Sequence, residues 1–415
     1  MNIYENRIVP DNVLVVSLNT GEFDVKSSLD ELYELTKSAG ANPVSYIIQK
    51  KDRPNPATCV GSGCLEDIKN FCNSNEINLI IFDCELSPVQ IKNIENFTGI
   101  RVIDRTMLIL DIFASRARSK EGKIQVELAQ LKYMMPRLTG KGIELSRLGG
   151  GIGTRGPGET KLETDKRHIR RRMETLKSEL KDIEKHREQI RKNREKNGVI
   201  TVAIVGYTNA GKSTLMNKLT EAGVLAKNQL FATLDPTSRA LKLPSGISVM
   251  LVDTVGLIRR LPHHLVESFK STLEEASLAD IILNVCDASS KESRAHLEIT
   301  NNLLFELGCK DKPIIPVMNK CDLVPEVMKI SNSYNVVRIS AKTGEGIDEL
   351  LSCIERNLPV KMKEVTMLLP FSKSGIASNI RKNGTILNEE YEESGIKIKA
   401  LIDIRIYSKI KDYII

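Results

Sequence analysis

The stretch Val202–Leu215, which reads VAIVGYTNAGKSTL, constrains this chain more than any other part of it. A short apolar run leads into Gly206, and Leu215 and Leu219 then recur at helical spacing. The pattern GxxxxGKS therefore lies between a predicted strand and a predicted helix, which is the context of a phosphate-binding loop. In such a loop, backbone N–H groups and the helix N-terminus face the phosphate oxygens of a nucleotide. We therefore expect a nucleotide-binding domain of the α/β class with a mostly parallel sheet.

Nine residues of this loop are predicted to surround the phosphates. They are Gly206, Tyr207, Thr208, Asn209, Ala210, Gly211, Lys212, Ser213 and Thr214. Lys212 is expected to reach the β- and γ-phosphates, and the Ser213 hydroxyl is expected to ligate Mg²⁺. Lys212 is also predicted to be catalytic, because it brings a positive charge to the transferred phosphate.

Two further segments are expected to respond to the γ-phosphate. The first has little periodicity, as is typical of a switch loop, and contains Phe231, Ala232, Thr233, Leu234 and Asp235. One threonine here must complete the Mg²⁺ shell; Thr233 is favoured, and Thr237 is the alternative. The second follows the predicted strand Val249–Val252 and contains Asp253, Thr254, Val255 and Gly256. Asp253 is expected to hold Mg²⁺ through water and the Gly256 N–H to contact the γ-phosphate, so both are predicted catalytic residues.

Two motifs downstream predict which base is bound. The apolar run Ile314–Met318 ends in Asn319, Lys320, Cys321 and Asp322. The Asp322 carboxylate can accept the N1–H and the N2–H₂ of guanine, which adenine does not offer in that arrangement. The apolar run Val336–Ile339 ends in Ser340, Ala341 and Lys342, whose backbone can contact guanine O6. These ordered motifs predict an enzyme that binds GTP and hydrolyses it to GDP and phosphate.

Leu257 follows Gly256, at the position where many GTPases have a glutamine that orients the attacking water. A leucine side chain neither donates nor accepts a hydrogen bond. We therefore expect slow intrinsic hydrolysis, with the missing group supplied by a partner or by a rearranged switch segment. Arg259 and Arg260 are candidates for an arginine finger. Asn209 is a candidate ligand for a K⁺ ion that would replace the charge of such a finger.

Domains of two other kinds flank the predicted GTPase domain, residues 198–358. In residues 1–110, strands are predicted for Val13–Leu18, Pro43–Ile48, Leu79–Phe82 and Ile100–Ile103. Helices are predicted between them, for Ser28–Ser38, Cys64–Asn73 and Ser87–Phe97. This alternation predicts a small N-terminal α/β domain with a mainly parallel sheet. Residues 359–415 predict a small C-terminal α+β domain, with strands for Glu364–Leu369, Thr385–Tyr391 and Lys397–Ile404 and a helix for Ser372–Lys382.

Residues 111–197 have a helical and basic pattern. Apolar residues recur at four- and three-residue steps in one stripe of Ile124, Leu128, Leu131 and Met135. A second stripe contains Ile169, Met173, Leu176, Leu180, Ile183 and Ile190, with Arg187 filling one position. The stripes predict a long antiparallel helical hairpin packed like a coiled coil, with its second arm over about Lys161–Lys196. The glycine-rich residues 139–160 between the arms predict an irregular tip.

The hairpin differs in charge from the rest of the chain. Arg116–Lys196 contains 23 Lys and Arg against 12 Asp and Glu, a difference of +11, whereas the whole chain carries +7. The remainder is therefore net acidic, at −4 by subtraction. A basic hairpin with Arg147 and Arg155 in a glycine-rich tip is typical of a surface that contacts a nucleic acid backbone. The alternative is a solvated helix whose charges serve solubility.

Composition limits where such a chain can act. The 415 residues contain no apolar run long enough to span a membrane, and the N-terminus lacks a basic-then-apolar signal peptide. We therefore expect a cytoplasmic protein without a membrane span, and we expect it to be a monomer. The eight cysteines include no CxxC pair, which favours reduced thiols over a metal site.

The motifs resemble those of the HflX family of GTPases over nearly the full length. The most specific segments are GTRGPGETKLETDKR (153–167), VGYTNAGKSTLMNKLT (205–220), LFATLDPTSR (230–239) and DTVGLIRRLPHHLVESFKSTLEEA (253–276). The resemblance implies a translation-factor-class GTPase that binds the large ribosomal subunit, with the hairpin tip near the peptidyl-transferase centre. It further implies dissociation of stalled or stressed ribosomes, ribosome-stimulated GTP hydrolysis and a ferredoxin-like C-terminal domain that contacts the ribosome.

The chain departs from the family pattern at Gly61-Ser62-Gly63-Cys64, where family members commonly have GSGK. No phosphate-binding role is therefore carried over to this loop, and a tight turn between strand and helix is expected there. On the residues alone, two other classes of function stay open. One is an NTP-dependent enzyme that remodels RNA with the hairpin, and the other is a regulatory GTPase whose hairpin binds a protein.

Overall fold

The computed structural model describes ten stretches of the chain. They are residues 10–140, 161–196, 198–220, 237–254, 256–258, 275–324, 336–359, 362–392, 394–403 and 410–415. These residues divide into two compact units, residues 10–182 and residues 183–415. The predictions for Phe231–Asp235, Val255, Arg259, Arg260 and residues 141–160 of the tip lie outside the described residues.

The first unit contains a four-stranded sheet with helices between its strands. Its elements are β1 (Asn12–Asn19), α1 (Val25–Ser38), β2 (Asn42–Lys50), α2 (Ser62–Ser74), β3 (Leu79–Phe82), α3 (Pro88–Thr98) and β4 (Arg101–Asp104). The strand order is β2-β1-β3-β4, and every pairing is parallel. β1 and β3 lie inside the sheet and are buried, which explains their continuous apolar runs. The prediction of a mainly parallel sheet is confirmed.

Local sequence signals determine where these helices begin and end. The Ser87 hydroxyl accepts a hydrogen bond from the Gln90 N–H, and the Gln90 side chain accepts one from the Ser87 N–H. This capping box satisfies two backbone donors at the start of α3. Pro88 occupies the first turn, where its missing N–H is not needed. Gly99 then ends the helix in the left-handed conformation that glycine adopts readily.

A buried ionic network fills the carboxyl edge of this sheet. Asp83 accepts hydrogen bonds from the hydroxyls of Ser17 and Ser28, and from Arg105 Nη1 at 2.9 Å. Arg105 Nη2 also pairs with Glu31 at 3.2 Å. Open α/β sheets bind ligands at this edge, so here charged side chains occupy the corresponding space.

Three helices complete the described part of the N-terminal region and the hairpin. They are α4 (Arg105–Arg116), α5 (Lys120–Met134) and α6 (Lys161–Lys196). α6 has 36 residues and the bounds predicted for the second arm. The predicted domain boundary at residue 110 falls inside α4, whose Leu108 and Ile112 are buried in the first unit. The first arm is therefore much shorter than the second in the part of the chain that the structure describes.

The predicted apolar stripe of α6 is correct only in part. Leu176 is fully buried, but Ile190 is 38% exposed. Residues after Asp182 belong to the second unit, where the arginines Arg187 and Arg191 contact a glutamate. The prediction that the seam extends to Ile190 is wrong, because ion pairs replace apolar packing on that part of the helix.

The second unit contains a six-stranded, mostly parallel sheet. Its elements are β5 (Ile200–Gly206), α7 (Lys212–Thr220), β6 (Thr237–Lys242), β7 (Ser248–Asp253), β8 (Ile281–Asp287), α8 (Ser293–Glu306), β9 (Ile314–Asn319), β10 (Val337–Arg338) and α9 (Ile347–Arg356). The strand order is β10-β9-β8-β5-β7-β6, and β6 pairs antiparallel to β7. β5 lies between β7 and β8, so its carboxyl end opens onto the edge where the predicted motifs end.

The end of the chain forms a small α+β module. Its elements are β11 (Met362–Leu369), α10 (Ser374–Asn383), β12 (Thr385–Glu392) and β13 (Gly395–Asp403). The three strands pair antiparallel in the order β11-β13-β12, which confirms the predicted α+β pattern. The ferredoxin-like arrangement stays a prediction. Of the helices that the structure describes, each is too short or too polar to cross a membrane.

Candidate nucleotide-binding site

The phosphate loop has a backbone that requires its two glycines. Gly206 and Gly211 have φ angles of 155° and 89°. A Cβ on Gly206 would lie 2.0 Å from the Val285 carbonyl oxygen, and a Cβ on Gly211 would lie 2.2 Å from Asn319 Nδ2. A Cβ does not fit at those distances. The Val285 carbonyl and the Asn319 side chain can therefore approach the loop only because these two residues have no side chain. The φ angles and the close packing around the loop therefore favour glycine at both positions.

Lys212 is buried under this loop. Its Nζ donates hydrogen bonds to the carbonyl oxygens of Gly206 at 3.0 Å and Tyr207 at 2.8 Å. The residue is 7% exposed. Burial lowers the pKa of Lys212 to about 8, and the nearby Asp253 carboxylate opposes that shift. The ammonium group is thus held at the loop, where it can meet the negative charge of a phosphate without reorganising.

Ser213 and Asp253 bring two oxygen donors together. Ser213 Oγ donates a hydrogen bond to Asp253 Oδ2 at 3.1 Å. Ser213 lies in the first turn of α7, and Asp253 ends β7 and is 1% exposed. Mg²⁺ prefers hard oxygen ligands and keeps several of its waters. The hydroxyl and the carboxylate therefore fit a Mg²⁺ ion that Ser213 would ligate and Asp253 would hold through water.

The segment after Asp253 pairs with the phosphate loop through its backbone. The Leu257 N–H donates to the Gly206 carbonyl at 3.1 Å, and the Thr208 N–H donates to the Leu257 carbonyl at 2.8 Å. Gly256 directly precedes Leu257, and a Cβ on Gly256 would lie 2.7 Å from Thr208 Cγ2. The turn at Gly256 therefore lies against the phosphate loop, as a contact with the γ-phosphate requires.

The side chain of Leu257 faces the protein interior. Leu257 is 5% exposed and belongs to one buried apolar cluster with Val205, Tyr207, Ala276 and Ala279, among others. A leucine in that position excludes water from the cluster and has no polar atom to offer to the site. The structure therefore places this residue where it packs rather than where it would orient a water molecule.

Asn319 links the base-side motifs to the phosphate loop. Its Nδ2 donates to the Ala210 carbonyl at 2.8 Å, and its Oδ1 accepts from the Ala341 N–H at 2.9 Å. Asn319 is 2% exposed, so both hydrogen bonds are shielded from water. Three predicted segments thus meet at one amide group.

Asp322 and Lys320 are each fixed by one polar partner. The Ser340 hydroxyl donates to Asp322 Oδ1 at 2.7 Å, which orients the carboxylate at the exposed end of the motif. Lys320 has a φ of 65°, and its Nζ pairs with Asp287 Oδ2 at 2.7 Å. An oriented carboxylate can accept the two neighbouring donors of a guanine edge.

Two of the predicted threonines have other partners. Thr254 is fully buried, and its hydroxyl donates to the Ile204 carbonyl at 2.8 Å. Its side chain therefore anchors β7 to β5, and only its backbone can face a nucleotide. Thr237, the alternative Mg²⁺ ligand, begins β6 opposite Asp253, and its hydroxyl donates to Met216 Sδ at 3.6 Å. Thr233, the favoured ligand, lies outside the described residues.

The structure shows features around the phosphate loop that no sequence motif predicts. The Tyr207 ring stacks on the His296 imidazole of α8, with ring centroids 3.9 Å apart and planes inclined by 12°. The Thr208 hydroxyl is buried and makes no hydrogen bond to any of the described residues. The phosphate-loop pattern treats Tyr207 and Thr208 as spacers, so nothing in it predicts the ring stack or the burial of the hydroxyl. Asp287, the partner of Lys320, could be predicted from the sequence, because it is the acidic residue that ends the apolar run of β8.

The glycine turn of the N-terminal region is closed by a neighbouring side chain. The Gly61 N–H donates to Gln49 Oε1 at 2.8 Å, and α2 begins at the next residue. A Cβ on Gly61 would lie 3.2 Å from Gln49 Nε2. The Gly61 N–H is therefore paired within the fold, as expected of a structural βα turn.

Four family models match consecutive parts of the chain. They are GTP-binding GTPase N-terminal over residues 26–114, GTP-binding GTPase middle region over 116–194, 50S ribosome-binding GTPase over 201–320 and HflX C-terminal domain over 326–408. The third of these covers the phosphate loop, the Asp253 motif and Asn319.

Known proteins are similar to this chain over nearly its whole length. GTPase HflX of Lacrimispora saccharolytica is 50% identical over 413 residues, which are 99% of this chain and 98% of that protein. GTPase HflX of Escherichia coli strain K12 is 43% identical over 388 residues, 92% of this chain and 91% of that protein. Among solved structures, the complex of SsGBP with GDP has a TM-score of 0.48 and 28% identity, covering 83% of this chain and 98% of that chain. From the identity and coverage of the two HflX relatives, the chain belongs to the GTPase HflX family, and it is a GTPase.

Proposed function

We propose that this GTPase binds the large ribosomal subunit through its basic hairpin, residues 111–197, and dissociates stalled or stressed ribosomes. On this proposal the hairpin contacts ribosomal RNA, and the subunit stimulates GTP hydrolysis. The observation that carries it is a long basic helix attached to a GTPase domain that matches the 50S ribosome-binding family model. Action as a cytoplasmic monomer belongs to the same proposal.

The helix α6 supports the contact with RNA. Over Lys161–Lys196 there are 14 Lys and Arg and 8 Asp and Glu, a difference of +6. At 1.5 Å per residue, such a helix extends about 50 Å, more than the width of a small domain. The segment 166–172 contains five basic residues and no acidic one, and Arg170 and Arg171 within it are exposed. A basic segment at the tip end of a long arm can reach a phosphate backbone inside a larger particle.

The proposed chemistry uses the residues at the carboxyl edge of the second sheet. Lys212 and the Gly256 N–H would hold the β- and γ-phosphates, while Ser213 and Thr233 would ligate Mg²⁺ and Asp253 would hold it through water. The metal would neutralise charge that develops on the phosphate oxygens. Asp322 would select guanine. Because Leu257 faces the core, a partner or another segment must orient the attacking water, and intrinsic hydrolysis should be slow.

A K⁺ ion near Asn209 is part of the proposed chemistry. Asn209 is exposed in the phosphate loop and holds a left-handed conformation, with a φ of 61°. A monovalent cation ligated by its side chain would supply the charge that an arginine finger supplies elsewhere. Replacing K⁺ by Na⁺ at equal ionic strength is expected to lower GTP turnover in the presence of large subunits. Equal turnover in the two salts would remove K⁺ from the proposal.

Sedimentation of intact ribosomes tests the proposed function. The protein is added with GTP or with a non-hydrolysable analogue, and the fractions of intact ribosomes and free subunits are measured. Free subunits with both nucleotides would mean that binding separates the subunits and hydrolysis releases the factor. Intact ribosomes under every condition would refute the dissociation of ribosomes.

The contact with RNA is tested separately by charge removal on α6. Arg170→Gln with Arg171→Gln is expected to weaken binding to isolated large subunits. The slope of log affinity against log salt concentration is also expected to become shallower, by about one for each phosphate group that is no longer neutralised. Lys192→Gln is the control, about 30 Å further along the same helix at 1.5 Å per residue. If the paired variant and the control bind equally well at every salt concentration, the hairpin does not bind through these arginines. Binding that depended on apolar residues of the hairpin rather than on salt would instead favour a protein partner.

A further inference from the structure

Two arginines of α6 converge on one carboxylate of the GTPase domain. Arg187 Nη2 lies 3.4 Å and Arg191 Nη2 lies 2.9 Å from the same oxygen, Glu275 Oε1. The two arginines are four residues apart and therefore on one face of the helix. Their side chains are 16% and 21% exposed, and that of Glu275 is 16% exposed. At that burial, solvent screens the ion pairs much less than it screens pairs on an open surface.

Glu275 lies in a helical turn of the GTPase domain. Residues 275–278 form this turn, and the Ala279 N–H closes it by donating to the Glu275 carbonyl at 3.1 Å. Lys312 Nζ holds the other end, with hydrogen bonds to the Ser277 and Ala279 carbonyls. Glu275 therefore lies on a helical turn that Lys312 ties to the rest of the GTPase domain.

The apolar cluster beneath the phosphate loop includes this helical turn. Ala276, the residue after Glu275, is fully buried in the same cluster as Leu257 and Tyr207. Close-packed side chains of this kind transmit a displacement rather than absorb it. A displacement of the turn that carries Glu275 is therefore transmitted to Leu257.

Backbone hydrogen bonds connect Leu257 to the phosphate loop, which holds Lys212. Leu257 pairs with Gly206 and Thr208 on either side of the phosphate loop, and it directly follows Gly256. The Tyr207 carbonyl, between these residues, accepts the hydrogen bond from Lys212 Nζ. The contacts from Arg191 to Lys212 are thus a salt bridge, buried apolar packing, backbone hydrogen bonds and the hydrogen bond that Lys212 Nζ donates to a carbonyl, all within the second unit.

We propose that Arg187 and Arg191 are positioning residues for GTP hydrolysis, which act through Glu275 on Leu257 and the Gly256 turn. They lie on the same helix as the basic segment near the hairpin tip, so a force on the hairpin reaches the nucleotide site through this helix. The proposal rests on the proposed function in one respect: the large ribosomal subunit is taken as the source of that force. It assigns a route by which subunit binding changes the hydrolysis rate.

The first experiment uses the free full-length protein and GTP. Glu275→Gln removes the charge and keeps the shape, so it is expected to lower kcat by about fivefold, the lower end of couplings between sites, with little change in KM. Arg187→Gln with Arg191→Gln is expected to give the same result, and adding Glu275→Gln to this pair is expected to cause no further decrease. Exchanging the charges, Glu275→Arg with Arg191→Glu, is expected to restore most of the rate.

The matched control is a more exposed ion pair on the same helix. Lys192 and Glu188 pair at 2.9 Å, with both side chains more than half exposed. Glu188→Gln is therefore expected to leave kcat, KM and thermal stability unchanged. If Glu275→Gln fails to fold, Arg191→Lys keeps a cation at this position without the planar fork and provides a milder test. It is expected to lower kcat less than Arg191→Gln does.

The outcomes separate this proposal from the proposed function. A kcat of Glu275→Gln equal to that of Glu188→Gln, or a change in KM alone, would overturn the positioning role. In a second experiment, isolated large subunits are added to each variant. Glu275→Gln is expected to bind the subunits as the wild type does and to lose most of the stimulation. If the subunits do not stimulate the wild type at all, the proposed function fails, while the result with free protein still decides the positioning role.

Discussion

The Asn319 amide donates a hydrogen bond to the Ala210 carbonyl at 2.8 Å, across a sequence separation of 109 residues. The same side chain accepts from the Ala341 N–H, so one residue fixes the phosphate loop relative to both base-side motifs. Here Asn319 also packs closely against the phosphate loop, because its Nδ2 would lie 2.2 Å from a Cβ on Gly211.

Replacing Asn319 by alanine is expected to weaken GDP and GTP binding strongly. The change leaves two buried backbone groups without partners, and each such group costs about 1–3 kcal/mol. A decrease of at least tenfold in affinity is therefore expected, measured by titration with a fluorescent guanine nucleotide. Asn357→Ala is the control, because its amide also donates to a carbonyl at 2.8 Å but lies at the end of α9. Equal affinity in the two variants would show that Asn319 does not shape the loop.

Replacing Gly211 by alanine is expected to abolish nucleotide binding. Its φ of 89° is strained for any L side chain, and the added Cβ would meet Asn319 Nδ2 at 2.2 Å. Gly40→Ala separates the two effects, since Gly40 has a φ of 86° and no atom within 4 Å of an added Cβ. Backbone strain alone is expected to lower its free energy of unfolding by about 1 kcal/mol without affecting binding. Nucleotide binding by Gly211→Ala at wild-type affinity would contradict the close approach.

Some features of the site were predictable from the sequence, and others were not. The strands that precede Gly206, Asp253 and Asn319 were predictable, because each is an apolar run that ends in a polar motif. The stack of Tyr207 on His296 was not, because the two residues are 89 positions apart and a ring contact has no periodic pattern. The ending of the apolar seam before Ile190 was not predictable either. On that part of the helix Arg187 and Arg191 pair with Glu275, a residue far along the chain.

Introducing a glutamine at Leu257 is expected to destabilise the protein and not to increase hydrolysis. The side chain at this position lies in a buried apolar cluster, so a glutamine would leave an unpaired amide there. We expect the free energy of unfolding to fall by about 2 kcal/mol or more, measured by urea denaturation. Leu387→Gln, at a position that is 48% exposed on β12, should have almost no effect. Faster intrinsic GTP hydrolysis by Leu257→Gln would mean that this side chain can leave the core.

Replacing Asp322 by asparagine is expected to change the preferred base from guanine to xanthine. The carboxylate of Asp322 accepts hydrogen bonds only, which matches the two donors on the guanine edge. Asparagine presents one acceptor and one donor, and xanthine has an acceptor oxygen where guanine has its amino group. GTP affinity is therefore expected to fall by about 100-fold or more, while XTP binds more tightly than GTP. Both affinities are measured by competition with a fluorescent nucleotide, and Asp348→Asn, in the first turn of α9, controls for the removed charge. The Ser340 hydroxyl can still donate to the remaining oxygen, so the motif should keep its shape. If the variant melts like the wild type and still prefers GTP, the base is selected by other residues.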